Sequence, residues 1–213
     1  MDEIKDGKVN IDRYRVKEGT KVNLKKYSTA CDVVIDKAKV KSLYFPEVIE
    51  KVRDLQEKLY AQNTYGLIIV LQAMDAAGKD GTVNHVFANL DPGGVKVVSF
   101  KQPTSEEKDH DYMWRINKAL PERGDIGIFN RSQYEDVIVT RIHDLIHKDF
   151  WEERYEQINN WEKYLHQNGF QMVKIFLHVS KKEQQRRLMD RIINQQKNWK
   201  FSMSDINERQ YWD

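Results

Sequence analysis

Phosphate-binding chemistry is indicated by the stretch LQAMDAAGKDGTVNHV at residues 71–86. Gly78 and Lys79 fit the end of the P-loop pattern G-x-x-x-x-G-K-[ST], in which backbone N–H groups and a lysine bind phosphate. Two positions differ, since Ala73 replaces the first glycine and Asp80 replaces the Ser or Thr that binds Mg²⁺. The stretch therefore predicts a phosphate site whose metal is held differently from that of an ordinary P-loop enzyme.

Small residues in this loop allow backbone N–H groups to approach an anion. Ala76, Ala77 and Gly78 follow a buried apolar run and precede a helical pattern, which places them at a helix N-terminus. Asp80 and Gly81 are expected to border the same phosphate. The alternative is a purely structural turn that contains a Gly-Lys pair by chance.

Asp75 is an acid inside the loop, where a bound phosphate would repel it. A carboxylate becomes useful there if it binds Mg²⁺ or orients an attacking group. Thr82 comes two residues too late to replace the missing hydroxyl, so Asp75 is the expected metal ligand and a catalytic residue. The alternative is an acid that interacts only with the helix dipole.

A second motif, IGIFNRSQYEDV at residues 126–137, follows another apolar run. The run ends in Asn130, where a P-loop enzyme often has an aspartate, and continues with Arg131. An arginine at this edge of a sheet suits the charge of a phosphoryl group in transfer. Glu135 and Asp136 lie one turn further on, and Asp136 has the alternative of being an ordinary acid on a helix surface.

A basic segment, KKEQQRRLMDRIINQQKNWK, covers residues 181–200 and contains seven Lys or Arg against two acids. Arg187 and Arg191 are four residues apart and share a helix face. A break in the pattern follows, so residues 184–204 are interpreted as a lid over the site, with a plain solvated helix as the alternative.

The elements that position these motifs alternate between strands and helices. The predicted strands cover residues 65–72, 95–100, 124–130 and 170–179, and the predicted helices include 78–90, 105–120 and 149–169. This order predicts an α/β fold with a parallel sheet and right-handed crossovers, whose ligands bind beyond the carboxyl ends of the strands. Ser180 with Glu183 predicts a capping box for the next helix, and Ser204 predicts the cap of a last one.

Composition limits the class of protein. The chain has 213 residues, 32% of them charged, and a formal net charge of +2, so one domain without a global basic field is expected. Cys31, the only cysteine, is interpreted as a bystander thiol in a reducing compartment. No signal peptide or membrane-spanning run is recognised, and a cytoplasmic location is expected. Residues 1–42 are interpreted as a surface arm, or alternatively as an anion-binding arm.

Other site classes find little support in the sequence. His143 and His147 are four residues apart, but no third metal ligand accompanies them, which argues against a zinc site. The aromatic residues are not interleaved with basic ones on one strand face, so no nucleic-acid interface is expected.

Four stretches together resemble the polyphosphate kinase 2 family. They are QAMDAAGKDGT, SFKQPTSEE, HDYMWRINKALPERGDIGIFNRSQYEDV and RRLMDRIINQQKNWKFSMSD, and they occur in this order. The resemblance implies a P-loop kinase-like, three-layer α/β/α fold with a helical lid. It also implies Mg²⁺ or Mn²⁺, inorganic polyphosphate as phosphate donor, and AMP, ADP and possibly GMP or GDP as acceptors. A homo-oligomer, either a dimer or a tetramer, is expected.

The resemblance also implies roles for individual residues. Asp75 matches the aspartate that positions metal and acceptor, Lys79 the phosphate-binding lysine, and Arg131 the arginine after the second motif's strand. The basic lid residues that meet polyphosphate are Arg187, Arg191, Lys197 and Lys200.

Two departures from the family pattern affect the interpretation. Asn130 replaces the aspartate of the D-R-S-x-Y-N pattern, which weakens the case for a second metal-binding carboxylate. Glu135 replaces the final Asn, as in the class III subgroup, and implies acceptance of both mono- and diphosphates. Family members also continue with a further strand and helix, so a truncated chain or a sheet without its last strand is expected.

Two other functions stay open on the sequence. One is an ATP-dependent nucleoside monophosphate kinase of similar fold. The other is a non-catalytic module that binds polyanions through residues 181–200, although such a module has no use for Asp75.

Overall fold

The computed structural model describes residues 4–5, 8–9, 11–30 and 37–212, so Cys31 lies outside the described residues. The chain divides into two compact units, Met1–Lys51 and Val52–Asp213. In the first unit, β1 (Ile4–Lys5) pairs antiparallel with β2 (Lys8–Val9), and 3₁₀ turns cover Ile11–Arg13 and Leu24–Lys26. Residues 14–30 are exposed, and an anion-binding role for them stays a prediction.

In the described part of the second unit, one sheet contains four parallel strands in the order β4-β5-β3-β6. They are β3 (Gly66–Ala73), β4 (Val95–Ser99), β5 (Ile126–Asn130) and β6 (Phe170–Leu177). Each of them lies within a residue or two of its predicted bounds. All the strands are parallel, so their carboxyl ends meet at one edge of the sheet.

Helices cover both faces of this sheet, as the alternating side chains of β3 show. Ile68 and Val70 pack into a cluster with residues of the helices after β4 and β5, while Leu71 packs on the other face with Val52 and Leu59. In chain order, the helices of the described residues are α1 (Lys37–Lys39), which belongs to the first unit, α2 (Phe45–Gln62), α3 (Lys79–Thr82), α4 (Ser105–Lys108), α5 (Trp114–Lys118), α6 (Glu135–Ile142), α7 (Lys148–Gln167), α8 (Lys181–Ile193) and α9 (Met203–Asn207). The predicted three-layer α/β/α arrangement is therefore confirmed.

The predicted helix over residues 105–120 is wrong, because the chain forms the two short helices α4 and α5 instead. Between them, the Asp111 carboxylate accepts a hydrogen bond from the Met113 N–H at 2.9 Å. A short acidic side chain that bonds the nearby backbone competes with the helix, and the helical pattern gave no sign of this.

Two predicted helix caps also differ. Ser180 accepts a hydrogen bond from the Glu183 N–H at 3.1 Å, but the Glu183 carboxylate contacts Arg186 and Arg187, so only half of the capping box forms. Ser202, and not Ser204, caps α9 through its hydroxyl, which accepts from the Ser204 N–H. Neighbouring serines offer equivalent caps to a sequence pattern, and only the backbone path distinguishes them.

Candidate active site

A cavity of about 570 Å³ lies at the carboxyl ends of β3, β4 and β5. The predicted residues that line it are Asp75, Ala76, Ala77, Gly78, Lys79, Asp80, Gly81, Asn130, Arg131, Arg187, Arg191, Lys197 and Lys200. Further lining residues to which the sequence assigned no role are Ser99, Phe100, Lys101, Asp190, Trp199, Ser202 and Asp205. The sheet edge therefore brings the three motifs together, as the topology requires.

The loop between β3 and α3 (residues 74–78) is held in an unusual backbone conformation. Ala76 has φ +58° and Gly78 has φ +107°, both in the left-handed region. A Cβ on Gly78 would lie 3.2 Å from an Arg187 nitrogen, so glycine fits this position best. Strained backbone of this kind concentrates at functional sites.

The Lys79 side chain forms hydrogen bonds with the backbone just before and within the same loop. Its Nζ donates to the carbonyl oxygens of Ala73 at 2.8 Å and Met74 at 3.3 Å, and the residue is only 8% exposed. Burial lowers the pKa of Lys79, and the neighbouring Arg131 charge lowers it further. A desolvated ammonium group of this kind interacts strongly with any phosphate oxygen that reaches it.

Asp75 forms an ion pair with Arg131, whose nitrogen donates to the carboxylate at 2.8 Å. Arg131 follows β5 directly, has φ +64°, and lines the cavity. Burial acts to lower the pKa of Arg131, but the charges of Asp75 and Glu135 outweigh it, so the pKa is raised. The acid that appeared misplaced in the sequence therefore has an arginine partner at the site.

The Asp80 carboxylate contacts two other residues that line the cavity, Asn130 and Lys200. The Asn130 amide donates to one carboxylate oxygen at 2.8 Å, and Lys200 approaches the other at 3.5 Å. Burial acts to raise the pKa of Asp80, but the Asn130 hydrogen bond and the Lys200 charge prevail and lower it. An ionised carboxylate at position 130 could not make this bond, because it has no proton to donate.

The first turns of α8 are attached to the loop. The Gln184 amide donates to the Asp75 carbonyl oxygen at 2.9 Å, and Arg187 donates to the Ala77 carbonyl oxygen at 2.6 Å. Leu188 follows with 3% exposure and belongs to the core. The part of the predicted lid that precedes residue 189 is thus fixed on the phosphate-binding loop.

The predicted lid cations each contact a carboxylate. Arg191 donates to Asp205 at 2.6 Å, and Lys197 forms a short ion pair with Asp190. Burial raises the pKa of Asp205, and the nearby Asp75 charge raises it further. Asp205 ends the stretch RRLMDRIINQQKNWKFSMSD, which was the only signal in the sequence that could have identified it.

Glu135 and Asp136 do not line the cavity. The Glu135 carboxylate accepts a short hydrogen bond from the Gln72 amide. Asp136 pairs with the buried Arg115 at 3.2 Å and its side chain is 13% exposed, so the interpretation of Asp136 as an ordinary surface acid is wrong. Burial raises the pKa of Asp136, although Arg115 opposes the shift.

Metal ligands are sparse at this site. Among the described residues, no group of three or more His, Cys, Asp or Glu side chains could hold a metal ion. His143 contacts Glu208 at 3.0 Å instead of a second histidine. A divalent cation here would need ligands from a substrate in addition to Asp75, as is usual for Mg²⁺ in phosphoryl-transfer sites.

The fold and the site are those of a P-loop kinase-like enzyme. The site combines a parallel sheet, a phosphate-binding loop with a buried lysine, and a cavity lined by Arg131 and the lid cations. Residues 35–213 match the family described as Polyphosphate kinase 2 (PPK2). The chain belongs to this family, which confirms the predicted family, fold class and kinase-type activity. Membership of the class III subgroup stays a prediction.

Individual relatives are similar over most of the chain. An ADP-polyphosphate phosphotransferase from Rhodopseudomonas palustris is 44% identical, covering 97% of this chain and 75% of that protein. An AMP/ADP-polyphosphate phosphotransferase from Meiothermus ruber is 41% identical, covering 94% and 76%. The crystal structure of polyphosphate kinase 2 from Arthrobacter aurescens TC1 superposes with a TM-score of 0.90 at 39% identity, covering 99% of this chain and 75% of that chain. Within the described residues, no helix has the length and apolar character that crossing a bilayer requires.

Proposed function

We propose that this protein transfers the terminal phosphate of inorganic polyphosphate to nucleoside mono- and diphosphates, reversibly, taking AMP to ADP and ADP to ATP. The observation that carries the proposal is the Asp75–Arg131 ion pair, which lies in one cavity with a buried loop lysine and the lid cations. The names of the relatives from Rhodopseudomonas palustris and Meiothermus ruber support polyphosphate as donor and ADP or AMP as acceptor.

Transfer occurs directly between the two substrates. A terminal phosphate oxygen of the acceptor attacks the last phosphorus of polyphosphate, the bridging P–O bond breaks, and the shortened polyphosphate leaves with the bond's electron pair. Lys79 and the loop N–H groups bind phosphate oxygens, and Arg131 stabilises the charge of the group in transfer. No covalent enzyme intermediate is needed, because positioning and electrostatics supply the catalysis.

Polyphosphate binding is assigned to the lid cations Arg187, Arg191, Lys197 and Lys200. All four line the cavity, and their paired carboxylates keep them ordered within it. A chain of phosphates presents many oxygens along one path, which suits several cations spread along a helix and the segment that follows it.

A divalent cation, Mg²⁺ or Mn²⁺, fits the residues present. Arg131 contacts one oxygen of the Asp75 carboxylate, and the phosphates of both substrates would supply the remaining ligands. The cation supplies neutralisation of phosphate charge when it is bound. Asp75 would hold it, while Asn130 provides only a neutral amide next to the site.

The acceptor range is proposed to depend on Glu135. Glu135 lies outside the cavity lining but close enough for its charge to raise the pKa of Arg131. Replacing it by the Asn of the other family pattern, Glu135→Asn, is expected to reduce turnover of AMP more than turnover of ADP. Equal losses for the two acceptors would count against this role. GMP and GDP are tested as acceptors in the same assay.

The deciding experiment compares donors. The protein is incubated with Mg²⁺, with AMP or ADP, and with either polyphosphate or ATP, and the nucleotide products are separated by chromatography. Phosphorylated nucleotide products are expected when polyphosphate is the donor. If such products form only when ATP is the donor, the protein is an ordinary nucleotide kinase. Binding of polyphosphate without turnover, at an affinity that falls steeply with salt, would indicate a non-catalytic module.

A matched pair of variants tests the assigned chemistry. Asp75→Asn is expected to reduce turnover at least about 100-fold while the melting temperature stays within a few degrees of the wild type. Asp54→Asn, at an exposed position on α2, is the control and keeps full activity. Full activity in Asp75→Asn would refute the role of Asp75.

A dimer or tetramer in solution is also proposed, and light scattering measures it.

A further inference from the structure

The centre of the NRSQYED motif, residues 132–134, has no part in the chemistry described above. Ser132 and Gln133 are nevertheless fully buried, at 0% exposure. Buried polar side chains need hydrogen-bond partners, and neither of these residues lines the cavity in which a substrate would bind. Their partners lie on β3 and α7, outside the cavity.

Glu162 on α7 collects most of these contacts. One of its carboxylate oxygens accepts a hydrogen bond from the Gln133 amide at 3.3 Å and a short one from the Tyr134 hydroxyl. Its other oxygen accepts from Lys174 on β6 at 2.7 Å, and Lys174 also donates to the Tyr134 hydroxyl at 3.1 Å. The Glu162 side chain is 14% exposed, so these charge-assisted bonds are only weakly screened.

These contacts hold residues 131–134, the turn from which the Arg131 side chain extends. The Arg131 N–H donates to the Leu71 carbonyl oxygen at 3.0 Å, which fixes the start of the turn on β3. Arg131 itself has φ +64°, a conformation that persists only where surrounding contacts impose it. The Ser132 hydroxyl reaches Gln72 at a long 3.4 Å, and the Gln133 amide reaches Glu162 at 3.3 Å. The shortest side-chain hydrogen bond of residues 132–134 is therefore the one from the Tyr134 hydroxyl to Glu162.

We propose that Glu162 is a positioning residue for Arg131: through Gln133 and Tyr134 it holds the left-handed turn that directs the guanidinium towards Asp75 and the phosphate in transfer. This inference rests on the proposed phosphotransfer function. Glu162 touches no substrate, because it lies on α7 and does not line the cavity.

The test is a kinetic comparison of Glu162→Gln with the control Glu156→Gln, an exposed position on the same helix. Glu162→Gln is expected to lower kcat about 10- to 100-fold with KM for both substrates within about twofold, because misplacement of a catalytic group affects the transition state most. The control is expected to match the wild type. An unchanged kcat in Glu162→Gln overturns the proposal.

A double-mutant cycle separates positioning from a general structural role. If Glu162 acts through Arg131, then Glu162→Gln has no further effect on kcat in an Arg131→Ala background. An equal fold-loss in both backgrounds overturns the proposal. Tyr134→Phe removes the two hydrogen bonds of the Tyr134 hydroxyl, to Glu162 and from Lys174, and preserves packing. If Glu162→Gln does not fold, a reduced kcat in Tyr134→Phe supports the proposal and an unchanged kcat overturns it.

Hydrogen exchange gives a readout that needs no turnover. In Glu162→Gln, the amides of residues 131–135 are expected to exchange faster than in the wild type, while those of residues 74–82 do not change. Unchanged exchange at residues 131–135 overturns the proposal. A wild-type protein without phosphotransfer activity would refute the proposed function alone, and the exchange comparison would still decide whether Glu162 holds the turn.

Discussion

Asn130→Asp tests the electrostatics at the end of β5. The wild-type Asn130 amide donates to Asp80 at 2.8 Å, and Asn130 is buried. An aspartate at this position has no proton to donate above its pKa, so two carboxylates would face each other at hydrogen-bonding distance. The variant preserves size and shape almost completely, which leaves charge as the only large change.

The magnitude follows from the separation and the exposure. Two unit charges about 4 Å apart repel by about 4 kcal/mol at an effective dielectric constant of 20. The Asp80 side chain is 61% exposed, so solvent screening reduces this to about 1–2 kcal/mol. Loss of the hydrogen bond adds about 1 kcal/mol. A total of about 2–3 kcal/mol corresponds to a drop of about 5–10 °C in Tm for a chain of this size.

The pH dependence has a definite sign. In the variant, Asp80 raises the folded-state pKa of the new carboxyl above its unfolded value of about 4. The repulsion is therefore absent below that pH and grows as the pH rises through the raised pKa. Thermal unfolding from pH 4 to pH 8 is expected to show the Tm deficit of Asn130→Asp growing with pH.

The control for this experiment is Asn130→Ala. It loses the hydrogen bond without gaining a charge, so its Tm deficit should be about half as large and nearly constant between pH 5 and pH 8. If Asn130→Asp is as stable as the wild type at pH 8, or shows the flat profile of the alanine variant, the electrostatic reasoning about Asp80 is refuted.

Three further predictions concern stability and binding. Gly78→Ala places a side chain at φ +107° and 3.2 Å from Arg187, and should lower the free energy of unfolding by about 1–3 kcal/mol in thermal unfolding. It should also weaken the binding of tripolyphosphate measured by calorimetry. Wild-type values for both would contradict the description of the loop as strained. Burial and its carboxylate partner on α7 raise the pKa of the Tyr134 hydroxyl, so the stability that the protonated form contributes is present below about pH 10 and lost as the pH rises further. Tyr134→Phe should remove this part of the Tm decline between pH 9 and pH 11, and an unchanged decline would show that Tyr134 does not cause it. Asp136→Asn removes the nearer of the two carboxylates that pair with the buried Arg115 and leaves only Glu107, at 3.8 Å. The variant should be destabilised by about 1.5–3 kcal/mol in chemical denaturation, whereas a loss below about 0.5 kcal/mol would fit an exposed acid instead.

The strands and the meeting of the motifs were predictable because they depend on local patterns and on topology. Apolar runs set the strands, and parallel pairing sets a common carboxyl edge. Arg131 follows β5 directly, and Lys79 follows β3 after a five-residue loop. Predicting the cavity therefore required no knowledge of side-chain conformation.

The pairings within the site were not predictable, because they join positions distant in the chain. Asp75 and Arg131 are 56 residues apart, and no local pattern relates their spacing to contact. Asp111 shows that a local contact can also escape prediction. Its hydrogen bond with the Met113 N–H lies between α4 and α5, where the apolar pattern predicted one continuous helix. Asp205 was present in a recognised stretch, but its role depends on where the chain returns.

The attachment of α8 to the loop determines the direction of the loop's dipoles. The carbonyl groups of Asp75 and Ala77 both point towards α8. Since a trans peptide is planar, the N–H groups of Ala76 and Gly78 point in the opposite direction. Two side chains that lie 109 and 110 residues further along the sequence thus orient the positive ends of these peptide units, and with them the loop's preference for an anion.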